Sequence, residues 1–153
     1  MARVLVETGF LLALNPRDVN HEWALRLLEE GERGAIELYV SPAAPVEVSL
    51  ILRSRGLSER EIREALEAME DAVLRFTKPK YVELRLDHAA LAAELRRSHP
   101  ELSLFDSLHA AVAIAEGLAY YDLDDLVRRA IEEEREKRGG GISHRERGAA
   151  LDR

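Results

Sequence analysis

The 153-residue chain contains no cysteine, and this absence removes several classes of protein from consideration. Without thiols there is no disulfide framework, no thiolate zinc site and no cysteine nucleophile. The absence also fits a reducing compartment. A chain of this length buries about 70% of the surface that its unfolded form exposes, so we expect one domain that folds without a disulfide or a structural metal.

Long apolar runs are missing as well. No stretch approaches the roughly 20 apolar residues that a membrane span requires, because charged residues interrupt every candidate. Residues 1–7 are too few, and become acidic too soon, for a secretory signal. We therefore expect a soluble, cytoplasmic protein.

Positive charge is scarcer than negative charge. The chain has 22 lysines and arginines against 29 acids, which gives a formal net charge of −7. The overall field of an acidic protein does not attract nucleic acid. With one tryptophan and three phenylalanines, no platform for stacking bases is apparent in the sequence. Any function on nucleic acid must therefore depend on local groups.

The common motifs of phosphate-binding proteins and hydrolases are also absent. The sequence has no P-loop lysine motif and no G-x-G-x-x-G after a strand. No serine lies in a G-x-S-x-G turn, which argues against a hydrolase of that type. A receiver domain of the response-regulator type would need paired acids after its first strand, and only Glu7 is found there.

What the sequence does contain is an alternation of strand and helix patterns. The predicted strands are 3–6, 35–40, 80–86 and 118–121, and the main predicted helices are 18–30, 42–56, 58–73, 104–116 and 126–138, with one more following Asp87. This alternation predicts an α/β fold with three α/β/α layers and a short central parallel sheet. We expect residues 1–138 to form the domain and residues 139–153, which begin with three glycines, to form a flexible polar tail.

Capping residues indicate where several helices begin and end. Ser58 opens a capping box, and Ser103 is predicted to cap the helix that ends at Gly117. Asp18 and Asp87 are predicted to cap two further helices.

Four acids lie where such a fold gathers functional groups, beyond the carboxyl ends of parallel strands. Glu7 and Asp122 follow predicted strands, Glu47 lies a few residues past one, and Asp106 is in the first turn of a helix. Four converging carboxylates would suit Mg²⁺ or Mn²⁺. The spacing leaves a structural role open, because Glu47 and Asp106 also suit the helix dipole and Asp122 also suits an N-cap. Only Glu7 has no obvious capping role.

Four segments carry a further pattern: 5–14, 39–47, 102–113 and 117–122. The first, second and fourth each join a hydrophobic strand to an acid. The third, which is the strongest, has Asp106, a histidine three residues later at His109, and small residues that would pack the helix. In order and spacing, the set resembles the PIN-domain family, the fold of the VapC-type toxins.

This resemblance implies a metal-dependent endoribonuclease, the toxin of a toxin–antitoxin pair, that cleaves RNA phosphodiester bonds with a metal-activated water. It implies that Glu7, Glu47, Asp106 and Asp122 are the catalytic acids and the ligands of Mg²⁺ or Mn²⁺. The implied partners are the RNA substrate, a small antitoxin protein and a second copy of the chain in a homodimer.

The resemblance also implies roles for residues around the acids. Thr8 and Ser41 would support the metal ligands by hydrogen bonds, and His109 would pack or support rather than bind the metal. Arg53 and Arg55 are candidates for contacts with the RNA backbone, although both also suit an ion-paired surface.

Three positions depart from the family pattern. Glu7 replaces the usual aspartate, Tyr120 occupies the place of a small hydroxyl residue, and a charged helix follows Asp122 where the family returns to a strand. These departures leave an alternative open, in which the chain is a catalytically impaired PIN-like module that binds RNA or a protein.

Overall fold

The structure is a computed structural model that describes the backbone of residues 1–151 and the side chains of residues 1–139. Its strands are β1 (Ala2–Val6), β2 (Ile36–Val40), β3 (Lys80–Tyr81) and β4 (Ala119–Tyr120). Its helices are α1 (Thr8–Ala13), α2 (His21–Glu32), α3 (Ala44–Ser54), α4 (Glu59–Leu74), α5 (Leu86–Ser98), α6 (Leu104–Glu116) and α7 (Asp125–Leu151). The predicted alternation of strands and helices is confirmed. No helix in the described part is long and apolar enough to cross a membrane.

The strands form a parallel sheet in the order β3-β2-β1-β4. β1 lies inside the sheet, between β2 and β4. After β3, the chain crosses to the other side of β1 to form β4. The boundary between the paired strands β1 and β4 is therefore a topological switch point. At such a point, the carboxyl ends of parallel strands border a crevice that can bind ligands.

Side chains of β1 alternate between two hydrophobic cores, as the period of a strand requires. Val4 and Val6 lie in the core with α1 to α4, whereas Leu5 lies in the core with α5 to α7. All three side chains are fully buried. Helices thus cover both faces of the sheet, and the predicted three-layer α/β/α architecture is confirmed.

The capping boxes at Ser58 and Ser103 are both present. The other two predicted caps are wrong. The carboxylate of Asp18 accepts a hydrogen bond from the Asn20 amide at 2.8 Å, so the chain makes a turn there and α2 begins only at residue 21. Arg85 is the N-cap of α5, and Asp87 lies in its first turn, where it pairs with Arg85 at 2.9 Å.

The largest differences in length from the predictions are in β3 and α7. β3 has only two residues because its pairing with β2 ends where Tyr81 meets Val40, the last residue of β2. α7 extends from Asp125 to Leu151, beyond the predicted end at residue 138. The side chains from residue 140 onward, and residues 152–153 altogether, lie outside the described part of the chain. The flexible tail over 139–153 therefore stays a prediction.

Gly117 ends α6 in the left-handed conformation, with φ 64° and ψ 37°. No atom lies within 4 Å of the position that a Cβ would take, so a substitution there acts through the backbone alone. We expect Gly117→Ala to lower the free energy of unfolding by about 1 kcal/mol. Gly117→Asn should lose less, because asparagine enters this conformation more readily. Urea denaturation measures both, and an alanine variant as stable as the parent would contradict the assignment.

Candidate metal centre

The carboxyl ends of the strands bring functional residues to one edge of the sheet. Glu7 directly follows β1, and Ser41 directly follows β2. The N–H of Tyr121, the residue before Asp122, donates to the carbonyl of Leu5 at 3.0 Å. Because the strands are parallel and paired, Glu7, Ser41 and Asp122 lie at the same edge of the sheet.

A close group of three potential metal ligands lies at this edge. Glu7, Glu47 and His109 each offer one ligand atom, and these atoms lie within 4.8 Å of one another. Nε2 of His109 is 2.8 Å from Oε1 of Glu47 and 3.7 Å from Oε2 of Glu7. The second and third predicted motifs are thus joined by a direct side-chain contact.

Hydrogen bonds hold this group in place. The hydroxyl of Thr8 donates to Oε1 of Glu47. The His109 ring is fully buried, with Nδ1 2.6 Å from Oγ of Ser41. Because a carboxylate only accepts hydrogen bonds, a neutral ring protonated on Nε2 donates to Glu47 and accepts from Ser41. Thr8 therefore contacts Glu47 directly, whereas Ser41 contacts it through His109.

Gly9 allows two carboxylates to approach the start of α1. Its N–H donates to Oε1 of Glu7 at 2.7 Å, which makes Glu7 the N-cap of α1, a role that the sequence did not indicate. A Cβ at Gly9 would lie 2.8 Å from Oε1 of Glu7 and 3.3 Å from Oδ1 of Asp122. A side chain at Gly9 would therefore displace the Glu7 carboxylate from its present position, and Glu7 and Asp122 are close neighbours.

The three carboxylates have different acidities. Burial raises the pKa of Glu7 from 4.5 to about 7, and the neighbouring charge of Asp122 adds to this rise. Burial also raises the pKa of Asp122. Burial acts on Glu47 in the same direction, but hydrogen bonds from His109 and Thr8 hold the pKa of Glu47 below its ordinary value. A bound cation would relieve the cost of keeping these charges together.

A family model described as PIN domain matches residues 4–132, which include all four motif segments. The chain belongs to the PIN domain family. The prediction drawn from the ordered motifs is therefore confirmed.

Two solved structures share the fold of this PIN domain. VapC20 from Mycobacterium tuberculosis, described as a toxin that cleaves the sarcin–ricin loop, has a TM-score of 0.57 and 23% identity, over 83% of this chain and 94% of that one. VapBC2 from Rickettsia felis, bound to a DNA fragment from their promoter, has a TM-score of 0.57 and 17% identity, over 85% of this chain and 93% of that one. At these identities the likeness shows the fold alone. No curated protein matches the chain.

Asp106 borders the centre of the PIN domain without joining the group of three ligands. Its carboxylate accepts a hydrogen bond from the Ser103 amide at 3.2 Å, and its own amide donates to the Ser103 hydroxyl at 3.1 Å. Asp106 thus completes the capping box of α6. Burial raises the pKa of Tyr120, and the charges of Glu7, Asp122 and Asp106 add to this rise, so all three acids act on the same buried side chain.

The two arginines predicted to contact RNA lie near the end of α3. Arg53 is exposed and lies 3.8 Å from Glu59, as an ion-paired surface residue does. Arg55 lines a groove together with Arg17 and Arg75. This groove of the PIN domain therefore has three cationic side chains.

No function was predicted for Gly9 from the sequence. A signal was available, because glycine is disfavoured inside a helix and this one lies in the first turn of α1. The direct contact between His109 and Glu47 had no such signal, because 62 residues separate them along the chain.

Proposed function

We propose that this PIN domain is a metal-dependent endoribonuclease, the toxin of a toxin–antitoxin pair, that hydrolyses RNA phosphodiester bonds. The observation that carries the proposal is the convergence of Glu7, Glu47 and His109 within 4.8 Å at the edge of the sheet, with Asp122 beside Glu7. Three carboxylates and one imidazole form an oxygen-rich donor set, which fits Mg²⁺ or Mn²⁺.

Four acids would hold the cation: Glu7, Glu47, Asp122 and, from the start of α6, Asp106. When bound, such a cation polarises a phosphate, lowers the pKa of a water molecule and stabilises the leaving oxygen. The donor set fits this role because Glu7 and Asp122 are neighbouring carboxylates whose pKa values are both raised by burial, so a cation between them would offset the cost of ionising both.

Hydrogen bonds from neighbouring groups fix the orientation of Glu7 and Glu47. His109 and Thr8 hold Glu47 from two directions, and the Gly9 amide holds Glu7. Productive sites tolerate only about 0.5 Å of misplacement, so fixed side chains of this kind support catalysis. The buried imidazole and the rigid ends of β1 and α3 keep the two glutamates in position.

The substrate and partners are proposed from the fold. VapC20 is described as a toxin that cleaves the sarcin–ricin loop, and VapBC2 is described as bound to a DNA fragment from their promoter. By analogy we propose an RNA substrate, a small antitoxin partner, a homodimer and a cytoplasmic location for this chain.

One observation favours the alternative, a catalytically impaired module that binds RNA or a protein. One oxygen of the Asp106 carboxylate, Oδ2, accepts the capping-box hydrogen bond from Ser103, and Asp106 does not belong to the group of ligand atoms within 4.8 Å of one another. If Asp106 does not bind the cation, only three acidic ligands remain: Glu7, Glu47 and Asp122.

The two functions are separated by a cleavage assay on structured RNA in Mn²⁺, with EDTA as the metal-free control. We expect the parent to cleave only with the metal, and Asp106→Asn to lower kcat/KM by about 10- to 100-fold. Asparagine keeps the size and capping ability of Asp106, so stability should change little. The matched control is Asp71→Asn, an exposed acid of α4, which should cleave like the parent.

Cleavage at the parental rate by Asp106→Asn would remove Asp106 from the proposed set of acids. A parent protein that binds Mn²⁺ but cleaves no RNA would favour the impaired module.

A further inference from the structure

A recess of about 280 Å³ opens beside Asp122, one of the acids of the candidate metal centre. It collects side chains from α2, the end of β4 and the start of α7. The residues that line it are Trp23, Tyr120, Tyr121, Asp122, Leu123 and Arg128. The chain has one tryptophan and four tyrosines, and this recess takes the tryptophan and two of the tyrosines. No local pattern in the sequence predicts this gathering of aromatic rings.

Two aromatic side chains of the recess, Trp23 and Tyr121, are partly accessible to solvent, and Trp23 also packs against the core. Trp23 is half-buried and meets the ring of Phe10 edge-on, with ring centroids 6.2 Å apart and an angle of 79° between the planes. Tyr121 is 37% exposed, whereas Tyr120 is buried. A supported ring with an accessible face is the feature on which proteins stack single-stranded bases.

The recess is also lined by a positively charged side chain, Arg128, that could contact a phosphate. The guanidinium of Arg128 pairs with Asp125 through one nitrogen. Arginine has five N–H donors, so further donors remain for a phosphate oxygen. Asp122 is shared between the recess and the metal centre, so a nucleotide bound in the recess would have its phosphodiester close to the acids.

We propose that this recess binds one nucleobase of the RNA substrate, against Trp23 and Tyr121, with Arg128 on a neighbouring phosphate. The volume is at the lower limit of small-molecule sites, about 300 Å³, which suits one base rather than a larger ligand. The inference deepens the proposed nuclease function and rests on it. It gives the acidic chain a local means of holding RNA that its overall charge does not provide.

Trp23 is the chain's sole tryptophan, so its fluorescence reports directly on the recess. The test is a titration of the full chain, in Mg²⁺, with each of the four ribonucleoside 5′-monophosphates. We expect saturable quenching by at least one nucleotide and none by inorganic phosphate, because a stacked base is required to quench the indole.

Two substitutions at Tyr121 are matched in this titration. Tyr121→Leu removes the ring and should weaken nucleotide binding by about 5- to 100-fold. Tyr121→Phe keeps the aromatic face and should restore parental binding. Arg128→Gln changes an exposed side chain and should weaken nucleotide binding without altering the fold. This variant therefore tests the proposal even if Tyr121→Leu does not fold.

Absence of saturable quenching, or quenching that Tyr121→Leu and Arg128→Gln leave unchanged, would overturn the proposal. Mononucleotides contain no internucleotide bond, so the titration does not depend on cleavage. A protein that binds nucleotides through Tyr121 but cleaves no RNA would retain the recess and lose the nuclease function. A protein that cleaves RNA but shows no quenching would retain the nuclease function and contradict nucleotide binding in the recess.

Discussion

Glu7→Gln is expected to raise the free energy of unfolding of the metal-free protein by about 2–3 kcal/mol at pH 8. Burial and the charge of Asp122 raise the pKa of Glu7 from 4.5 to about 7. The ionised carboxylate is therefore destabilising in the folded state at pH 8. Glutamine keeps the length of the side chain and an oxygen that accepts the Gly9 hydrogen bond, but it removes the charge.

The pH dependence follows from the direction of the shift. Between pH 4.5 and about 7, the folded state retains a proton on Glu7 that the unfolded state has released. The contribution of Glu7 to stability therefore falls as the pH rises through this window and is constant above it. Glu47 acts in the opposite sense, because its pKa is lowered: its contribution is present above its unfolded pKa and is lost in acid.

Urea denaturation of the metal-free protein at pH 5 and pH 8 measures this effect. The stability difference between Glu7→Gln and the parent should be small at pH 5 and should widen at pH 8. Glu29→Gln, which changes an exposed acid of α2, is the control and should shift stability by less than about 0.5 kcal/mol at either pH. A parent more stable than Glu7→Gln at pH 8 would show that the carboxylate is not destabilised by burial.

His109→Asn and His109→Gln are expected to differ in activity although both lose stability. His109 is fully buried between Ser41 and Glu47. Each variant can replace one nitrogen of the ring, so each loses one of the two hydrogen bonds that the imidazole makes. That loss costs about 1–3 kcal/mol of unfolding free energy.

The two amides differ in which partner they reach. The glutamine amide lies near the place of Nε2 and can still donate to Glu47, whereas the asparagine amide lies near Nδ1 and can contact only Ser41. If His109 orients Glu47 for catalysis, kcat/KM of His109→Asn should fall about tenfold below that of His109→Gln. Ser41→Ala serves as the control, because it removes the other partner and leaves the Glu47 contact in place. Equal kcat/KM for the two amide variants would show that His109 packs in the core and does not orient Glu47 for catalysis.

Local signals in the sequence predicted the parts of the site that depend on chain position alone. The capping pattern at Ser103 needs only four consecutive residues, and the structure contains it. Glu7 and Asp122 were singled out because they follow strands, and parallel pairing places strand ends at one edge. These features follow from the periodicity of the chain and from one topological rule.

Features that depend on long-range packing were not predicted. β3 has the composition of a longer strand, but it ends at Tyr81 because β2 offers no partner beyond Val40. The aromatic recess combines Trp23 with Arg128, residues from α2 and α7 that only the tertiary fold brings together. The spacing of Trp23 and Leu27 indicates that Trp23 faces inward from its helix, but it does not show that part of the ring borders a recess.

We propose that the acids at the end of β1 and in α3 bind a divalent cation that RNA cleavage requires. The most direct test is Mn²⁺-dependent cleavage of a structured RNA by the parent and by Glu7→Gln, with both proteins shown to be folded under the assay conditions. We predict cleavage by the parent that EDTA abolishes, and a fall in kcat/KM of about a thousandfold in the variant, although its metal-free form is the more stable of the two. Cleavage by Glu7→Gln at the parental rate would contradict this account of the site.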